Sequence, residues 1–494
     1  MTKRLTSFFK KNWIIILILL IGLFLRVYKP LELYMYGHDQ DLAGWIVKDI
    51  LVNKHLRLIG QETSSQGVFI GPLFYYLQIP FYLLTKMDPS GTIVLVTILG
   101  LFSIFSFYFC FSKMFGKKIG LIAAFIYSIG VYFIFTDREV VPTMPVYLWT
   151  VWFFYGIYLI LKGKSKAYIL LGSLLGIAWN FNMALVILTP LILVAQFPSK
   201  KKINIKHMVL GIIFFFVTFS PFIFFELRHS FRQTKAITAS LISSKDYVQG
   251  TSRGIHKLNR VYQLIKKNTS AMVWGKYGQM GYSTTFFLLV LMFVYLLKKK
   301  LIQKDMGIIM TVWLGLYIVF FTINSINISE YYLNGMNVVW IAILSVFINH
   351  LLLRKYVGYI LLAAIFGSNL REFIVRPVNR SGYLNRKAIV DFIKLDSQNH
   401  NYPCISVSYI TSPGNNWGYR YFYWLNKMHV NQPISGSPVY SIVFPHSMVD
   451  RIDKSFGALG LILPEYKKYT ESQVKESCLG ENSNLVDPMG GYTE

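Results

Sequence analysis

The chain has few charged residues for its length. Only 15% of its 494 residues are charged, whereas about 25% of the residues of an ordinary soluble domain are charged. Its apolar residues form uninterrupted runs, such as Trp13–Leu25, Ile93–Phe111 and Val209–Phe225, which a soluble core does not need. The shortage of charge therefore argues against a soluble protein and predicts a chain that crosses a membrane many times.

Acidic residues are scarcer than basic ones. Asp and Glu together number 23 against 50 Lys and Arg, which gives a formal net charge of +27. A strongly basic chain can be a nucleic-acid binder. Here, however, the positive charge lies mainly in short loops between apolar runs, as in 113–118, 200–206 and 298–304, where it sets membrane topology. We therefore expect no nucleic-acid partner.

Cysteine and cofactor motifs are also sparse. Of the three cysteines, Cys110 lies in an apolar run, whereas Cys404 and Cys478 lie near the carboxyl end. There is no CxxC pair or His/Cys cluster, which argues against a structural zinc site. There is also no GxxxxGK[ST] or GxGxxG segment, so the sequence shows no nucleotide-binding loop. Two alternatives stay open for Cys404 and Cys478, a disulfide in an oxidising compartment or two free thiols.

The basic loops alternate with the apolar runs and so predict a topology, because Lys and Arg concentrate on the cytoplasmic side. Residues 1–369 form an all-α polytopic domain of the plasma membrane with about eleven or twelve spans and large outer loops at 29–91 and 227–283. Residues 370–494 then form a small α/β domain on the extracytoplasmic side. The spans are expected near residues 12–28, 92–112, 119–136, 143–161, 167–179, 183–197, 208–226, 284–297, 306–323, 336–353 and 356–369.

Two outer segments are predicted to be helices that do not cross the membrane. Gly71–Leu84 is apolar but interrupted by prolines, and a crossing there would invert the topology downstream, so we expect a re-entrant or interfacial helix. Apolar residues recur at helical spacing in 255–265, opposite Lys257, Arg260 and Lys266. That pattern predicts a basic amphipathic helix on the membrane surface.

The last part of the chain has mixed composition with short periodic segments. Their patterns predict a small α/β domain, and the tail from Glu481 onward is expected to be disordered. The predicted elements are helices at 384–395 and Tyr419–Met428 and strands at Ile405–Ile410, Val439–Phe444 and Leu459–Leu463.

Ionisable groups are almost absent from the spans, whereas ion-coupled transporters usually keep some inside the bilayer. They collect at the outer ends of spans, which places any chemistry at the outer membrane face. Asp39 and Asp41 follow the first span. A carboxylate there is able to deprotonate an acceptor hydroxyl, and a second is able to hold a metal or a sugar hydroxyl. The alternative is an acidic, solvated loop.

Cationic and aromatic residues also mark the outer helix ends. Arginine is suited to binding a phosphate group through two hydrogen bonds, although a salt-bridged helix end or a side chain reaching for the interface explains the same residues. The tyrosines are equally typical of an interfacial aromatic belt. The candidate substrate-binding residues are Arg26, Arg138, Arg228, His229, Tyr331 and Tyr332.

Several segments in order carry a family resemblance. Arg26 at the end of the first span is followed by His38-Asp39-Gln40-Asp41, then Leu58-Ile59-Gly60, then Gly71–Leu77, and later Phe224–Phe231. Over residues 12–370 the chain resembles the GT-C superfamily of membrane glycosyltransferases, and more narrowly the bacterial protein mannosyltransferase / aminoarabinose transferase group (glycosyltransferase family 39). It departs from that pattern at Asn180 and Asn182, and in lacking a lysine before Pro72.

The resemblance implies an inverting glycosyltransferase that moves a hexosyl or pentosyl group from a polyprenyl-phosphate donor to an acceptor glycan, lipid or protein. It places the catalytic carboxylate at Asp39 in preference to Asp41. The sequence identifies no metal-ligand residues, and a divalent metal cofactor stays open. The physical chemistry agrees, since basic groups at the outer face attract a lipid phosphate and apolar grooves between spans accept its isoprenoid chain.

Two functions of other classes remain as alternatives. A transporter or flippase of lipid-linked sugars is expected to show internal repeats, and the sequence shows none. A ligase or polymerase for surface polysaccharide shares the lipid-phosphate donor but transfers a whole glycan.

Overall fold

The computed structural model describes residues 2–63, 65–199, 204–242, 255–275, 281–324, 328–353 and 356–485. The helices are α1 (Thr2–Val27), α2 (His38–Val52), α3 (Leu73–Leu84), α4 (Thr92–Phe115), α5 (Lys117–Ile129), α6 (Val131–Thr136), α7 (Val146–Leu161), α8 (Ala167–Phe181), α9 (Pro190–Ser199), α10 (Ile205–Arg228), α11 (Arg232–Ile242), α12 (Ile255–Trp274), α13 (Tyr282–Lys298), α14 (Lys304–Ile323), α15 (Asn337–Leu352), α16 (Val357–Val375), α17 (Tyr383–Asn399), α18 (Arg420–Leu425) and α19 (Glu471–Ser477). The strands are β1 (Ile405–Thr411), β2 (Val430–Asn431), β3 (Val439–Phe444), β4 (Lys454–Phe456) and β5 (Leu459–Ile462).

Long apolar helices dominate the first three quarters of the chain. Within the described residues, five helices are long and apolar enough to cross a membrane, and shorter apolar helices accompany them. The long ones are Pro89–Phe115, Ile205–Arg228, Lys304–Ile323, Glu330–Leu352 and Val357–Val375. Every span expected from the sequence falls on helical structure, and a small sheet follows near the carboxyl end. The predicted fold class, a polytopic α-helical membrane protein with a carboxyl-terminal α/β unit, is confirmed.

One expected span is broken into two helices. The segment 119–136 consists of α5 and α6, which are separated at Gly130. The backbone N–H of Val131 at this break donates to the side-chain oxygen of Asn369 at 2.9 Å. A polar side chain of α16 thus satisfies a backbone group that the interrupted helix leaves unpaired.

The first outer loop is largely helical, since it contains α2 and α3. Helix α3 has 12 residues and is therefore about 18 Å long, shorter than the ~30 Å hydrocarbon core of a bilayer. Its first N–H, from Leu73, donates to the side-chain oxygen of Asn180 at 3.2 Å. Helix α3 is thus tied to α8, with the length expected of a segment that does not cross.

The prediction of a surface helix at 255–266 is wrong in its placement. Helix α12 packs against α13, α14 and α16, and Val261 and Ile265 are buried in the main apolar core. Lys257 and Lys266 are buried as well, and their ammonium groups donate to the side chains of Asn324 and Ser283. The pattern misled because these lysines find acceptors inside the protein instead of water.

The carboxyl-terminal unit contains a five-stranded sheet with the strand order β2-β1-β3-β5-β4. Strand β1 runs parallel to β2 and β3, whereas β5 runs antiparallel to β3 and β4. Cys404 and Cys478 form a disulfide that joins the start of β1 to the end of α19. Of the two alternatives for these cysteines, the structure contains the bonded one.

The expected disorder from Glu481 onward is wrong for residues 481–485. Asn482 hydrogen-bonds to the backbone of Met428 and Val430, and Asn484 hydrogen-bonds to the backbone of Arg420. Their short amide side chains bind free backbone groups and so order the segment. The rest of that predicted tail, 486–494, lies outside the described residues.

The carboxyl-terminal unit docks directly on the first outer loop. Tyr34 stacks on Tyr383 with ring centroids 5.5 Å apart, and Tyr36 lies 4.7 Å from Phe422. At the edge of this aromatic contact, Lys387 on α17 pairs with Asp88 at 2.5 Å. The two parts of the chain therefore share one buried cluster, and the carboxyl-terminal unit packs beside the helix that carries the two candidate acids.

Candidate active site

Helix α2 carries both predicted catalytic acids in its first turn, after Gly37 at the N-cap position. Acidic residues are favoured there because the helix dipole places partial positive charge at the amino end. Each helical residue advances by about 100°, so side chains two residues apart point to nearly opposite sides. Asp39 and Asp41 accordingly face different surroundings.

Asp39 lines a cavity of about 750 Å³. Its carboxylate oxygen Oδ1 accepts a hydrogen bond from the side-chain amide of Gln61 at 3.3 Å. The cavity wall combines polar groups with aromatic and aliphatic ones, as ligand sites commonly do. The other lining residues are Gln61, Glu62, Thr63, Ser65, Val68, Ile70, Glu139, Val141, Pro142, Thr143, Phe181, Asn182, Met183, Ala184, Val186, Ile187, Ile237, Ser240, Leu241, Phe320, Phe321, Tyr331 and Tyr332.

A second carboxylate, Glu139, lies in the same cavity wall. Burial raises the pKa of Glu139 to about 7; Arg376 opposes this shift, and the negative charges of Asp39 and Glu330 add to it. A carboxyl group with a pKa near neutrality can exchange protons at physiological pH. The cavity therefore brings Asp39 together with a titratable neighbour.

Both of the sequence-predicted tyrosines also reach the cavity. Tyr331 and Tyr332 contact each other with ring centroids 4.4 Å apart, and Tyr332 stacks on Phe321. The side-chain amide of Asn182 donates to the backbone oxygen of Tyr331 at 3.4 Å. This contact ties Tyr331 to the end of α8, which Asn182 caps.

Asp41 is not among the residues that line the cavity. Its side chain is only 6% exposed, and its Oδ1 accepts the backbone N–H of Tyr421 at 3.1 Å and the hydroxyl of Tyr36 at 3.5 Å. Burial raises the pKa of Asp41 to about 7, against the lowering effects of the Tyr421 N–H, Arg420 and Arg386. The structure thus places Asp41 at the contact with α18.

Two of the predicted phosphate-binding arginines are engaged inside the protein. Arg26 is fully buried and forms an ion pair with Asp137 at 2.6 Å. Arg138 donates to the backbone oxygens of Leu25, Tyr28 and Lys29 at the end of α1. Carbonyls in the last turn of a helix lack partners within the helix, so Arg138 satisfies the carboxyl end of the first span through Leu25 and also binds the two residues that follow α1. Neither arginine lines the cavity.

Arg228 and His229 lie at the end of α10 and are likewise not among the cavity-lining residues. His229 stacks on Phe225 with ring centroids 4.1 Å apart. In the last turn of α10, the buried carboxylate of Glu226 accepts hydrogen bonds from the backbone N–H groups of Gln233 and Thr234 at the start of α11. This contact sets α11 against the cavity, where it contributes Ile237, Ser240 and Leu241.

An apolar groove of about 550 Å³ adjoins the cavity. Met183, Val186 and Ile237 line both spaces. The remaining groove residues come from α8, α9 and α10 and are mostly aliphatic or aromatic, including Trp179, Phe215, Phe219 and Phe222. A cavity that carries carboxylate, amide and hydroxyl groups among apolar side chains thus shares part of its wall with an apolar space between helices.

Sequence reasoning missed Glu139, Gln61 and Glu62 as cavity residues. In the segment Asp137-Arg138-Glu139 the sequence analysis selects only Arg138, although Glu139 stands directly after it. Gln61 and Glu62 carried no signal, because only the fold brings 61–70 beside the first turn of α2. Within the described part of the chain, no group of three or more His, Cys, Asp or Glu is arranged to hold a metal ion.

Comparison with known proteins supports the resemblance seen in the sequence. The profile of the dolichyl-phosphate-mannose-protein mannosyltransferase family matches residues 70–225. No match was found among curated protein sequences.

Solved structures match over most of the chain. ArnT from Cupriavidus metallidurans, bound to undecaprenyl phosphate, superposes with a TM-score of 0.62 at 10% identity, covering 91% of this chain and 98% of that one. Its apo state gives 0.61 at 10% identity, covering 92% and 98%. The oligosaccharyltransferase of Archaeoglobus fulgidus, in complex with zinc and sulfate, gives 0.49 at 13% identity, covering 87% and 67%. The two ArnT superpositions show that the chain has the GT-C fold, as its sequence predicted.

Proposed function

We propose that this protein is an inverting glycosyltransferase that moves a single sugar from a polyprenyl-phosphate donor to an acceptor hydroxyl at the outer membrane face. The observation that carries the proposal is that the cavity at Asp39, which holds three carboxylates, shares the wall residues Met183, Val186 and Ile237 with the apolar groove along α10. A lipid-linked sugar has the same two parts, a polar head and an isoprenoid tail. The groove offers the tail a protein surface within the bilayer, and the cavity receives the head.

Asp39 acts as the general base in this proposal. An acceptor hydroxyl is a weak nucleophile, so it needs a proton acceptor within hydrogen-bond reach as it attacks. The hydroxyl proton passes to Asp39 while the hydroxyl oxygen bonds to the anomeric carbon. The bond from that carbon to the phosphate oxygen breaks on the opposite side, and its electron pair leaves with the polyprenyl phosphate. A single displacement of this kind inverts the anomeric configuration.

The leaving phosphate needs positive charge nearby, because developing negative charge is stabilised by fixed cations. The described residues that line the cavity include the carboxylates of Asp39, Glu62 and Glu139 but no Lys or Arg. Arg228 is exposed at the end of α10. It lies close in sequence to the start of α11, the helix whose Ile237 lines both the cavity and the groove. We therefore retain Arg228 as a candidate phosphate ligand, approaching from the groove side.

Tyr331 and Tyr332 form the opposite wall and are proposed to contact the transferred sugar or the acceptor. Tyrosine combines apolar area with a hydroxyl, which suits it to recognition of polar ligands with apolar faces. A transfer assay identifies the sugar, which is hexosyl or pentosyl, and the acceptor, which is a glycan, a lipid or a protein. The same assay, run with and without a chelator, shows whether a divalent metal is required.

The test incubates purified full-length protein with a panel of polyprenyl-phosphate sugars and candidate acceptors, with and without a chelator, and follows products by mass spectrometry. The proposal expects a product heavier by one sugar together with free polyprenyl phosphate. Transbilayer movement of the donor without transfer indicates a flippase instead. Transfer of a complete glycan, with no single-sugar transfer, indicates a polysaccharide ligase.

A further inference from the structure

The first turn of α2 is held between the cavity and the carboxyl-terminal unit. Asp39 lines the cavity on one side, and Asp41 accepts the backbone N–H of Tyr421 on the other. The N–H of Tyr421 lies in the first turn of α18, where backbone donors have no partner within the helix. The carboxylate of Asp41 therefore supplies a missing acceptor across the boundary between two distant parts of the chain.

The contact extends along α2 and is closely packed. Gly44 lies against the ring of Tyr421, since a Cβ placed on Gly44 would lie 2.7 Å from Cδ2 of that ring. The hydroxyl of Tyr421 donates to the backbone oxygen of Met87 at 2.9 Å. The guanidinium of Arg420 lies 5.4 Å from the ring centre of Trp45. Tyr421 thus fits between α2 and the chain that follows α3.

A second contact closes over the start of α2. Gly418 approaches Gly37 so closely that a Cβ on Gly418 would lie 3.1 Å from the Cα of Gly37, and Gly418 has a φ of +93°. The ring of Trp417 lies 4.8 Å from that of His38. The loop before α18 therefore covers the residues on either side of the helix start, next to Asp39.

We propose that Asp41 is a positioning residue, which fixes the first turn of α2 to α18 and so holds Asp39 at the angle that the transfer reaction requires. The inference rests on the proposed function, in which Asp39 is the base. A base displaced by about 1 Å can lose on the order of 10²-fold in rate. In this arrangement the carboxyl-terminal unit is part of the catalytic apparatus, although it contributes no residue to the described cavity wall.

Substitutions at Asp41 separate positioning from chemistry. Asp41→Asn keeps an oxygen that accepts the Tyr421 N–H, so it is expected to retain turnover within about 3-fold. Asp41→Leu has similar size but no acceptor, and its kcat is expected to fall by about 10- to 100-fold. The KM for the donor is expected to change little, because Asp41 does not line the cavity. Asp391→Leu is the control for an aspartate that does not contact α2, since the exposed Asp391 bonds to Asn426 within the carboxyl-terminal unit.

A second variant on α2 gives a test that does not remove a buried acid. Gly44→Ala raises helix propensity in α2 but pushes against the ring of Tyr421. It is expected to reproduce the loss of kcat seen with Asp41→Leu. If Asp41→Leu does not accumulate in folded form, Gly44→Ala decides the question. Backbone hydrogen exchange in 38–45 of the full-length protein is expected to speed up in both variants and not in Asp391→Leu.

The outcomes distinguish this inference from the function beneath it. Wild-type kcat in Asp41→Leu and Gly44→Ala, alongside an inactive Asp39→Asn, overturns the positioning role and leaves the base assignment intact. Equal losses in Asp41→Asn and Asp41→Leu show that the carboxylate itself is needed and also overturn it. An active Asp39→Asn instead removes the proposed base.

Discussion

The guanidinium of Arg26 and the carboxylate of Asp137 meet at 2.6 Å with both side chains fully buried. The hydroxyl of Tyr127 donates to the other carboxylate oxygen at 2.7 Å. A buried charge is tolerated only when it is paired and hydrogen-bonded. These contacts therefore hold α1 against the end of α6 and have a structural role. It explains why an arginine at the end of the first span need not be a donor ligand.

Arg26→Met is expected to destabilise the protein by about 3–5 kcal/mol, because it leaves the buried Asp137 without its counter-ion. The double variant Arg26→Met/Asp137→Leu is expected to recover most of that loss, since well-packed apolar replacements of buried ion pairs are often close to neutral. Thermal unfolding of the purified variants measures both. An Arg26→Met protein that is as stable as wild type but no longer binds polyprenyl phosphate would restore Arg26 as a donor ligand.

The disulfide between Cys404 and Cys478 closes a loop with a sequence separation of 74. Loop closure of this length is expected to contribute about 4 kcal/mol to the stability of the carboxyl-terminal unit. Thiol labelling of denatured protein checks the bond directly. One reactive cysteine, Cys110, is expected before reduction and all three after it; three before reduction would contradict the structure.

Glu139 gives the cavity a pH dependence. Burial raises its pKa from an ordinary value of 4.5 to about 7, so the ionised form is disfavoured by folding. Its contribution to stability therefore falls as the pH rises from about 4.5 to about 7. In the same interval its negative charge develops beside an anionic donor, so the KM for the donor is expected to rise.

The variant Glu139→Gln is expected to weaken the pH dependence of both the stability and the donor KM, because the glutamine side chain stays neutral over this pH range. The measurement is the donor KM and the unfolding temperature between pH 5 and 8, with Glu465→Gln as a control on the exposed surface. A wild-type pH profile in Glu139→Gln would show that another group is responsible.

The distribution of basic loops predicts that the carboxyl-terminal unit lies outside and the loop between α13 and α14 inside. Ile434 is 92% exposed, and Lys299 is exposed in that loop. An impermeant maleimide is expected to label Ile434→Cys in intact cells, and to label Lys299→Cys only after permeabilisation. The wild-type protein serves as the background control. Labelling in the reverse order would mean that Gly71–Leu84 crosses the membrane and that the predicted span order is inverted.

The course of the membrane helices could be predicted because it depends on local properties. Apolar runs of sufficient length and the position of basic loops locate spans without any knowledge of contacts. Several elements of the carboxyl-terminal unit follow from alternation and composition, as β3 at Val439–Phe444 illustrates, whereas the short elements β2, β4 and α19 were not predicted. The placement of α12 failed because Lys257 and Lys266 find their acceptors, Asn324 and Ser283, on segments outside that helix.

The candidate site was predictable only in part, for the same reason. The acids at 39 and 41 are equivalent in the sequence, and only the resemblance favoured the first. Their different surroundings arise from the fold, since Asp41 meets Tyr421 across 380 positions of chain and Asp39 meets Glu139 through a shared cavity. No local pattern encodes contacts of this range.

The most direct test of the account is the transfer rate of Asp39→Asn, measured with the donor that the wild-type protein uses and normalised for the amount of folded protein. The substitution keeps the size of the side chain and removes the base. Turnover is expected to fall by about 10²-fold or more, with binding of polyprenyl phosphate nearly unchanged, while Asp41→Asn stays close to wild type. Near-wild-type turnover in Asp39→Asn, or a severe loss in Asp41→Asn alone, would contradict the account.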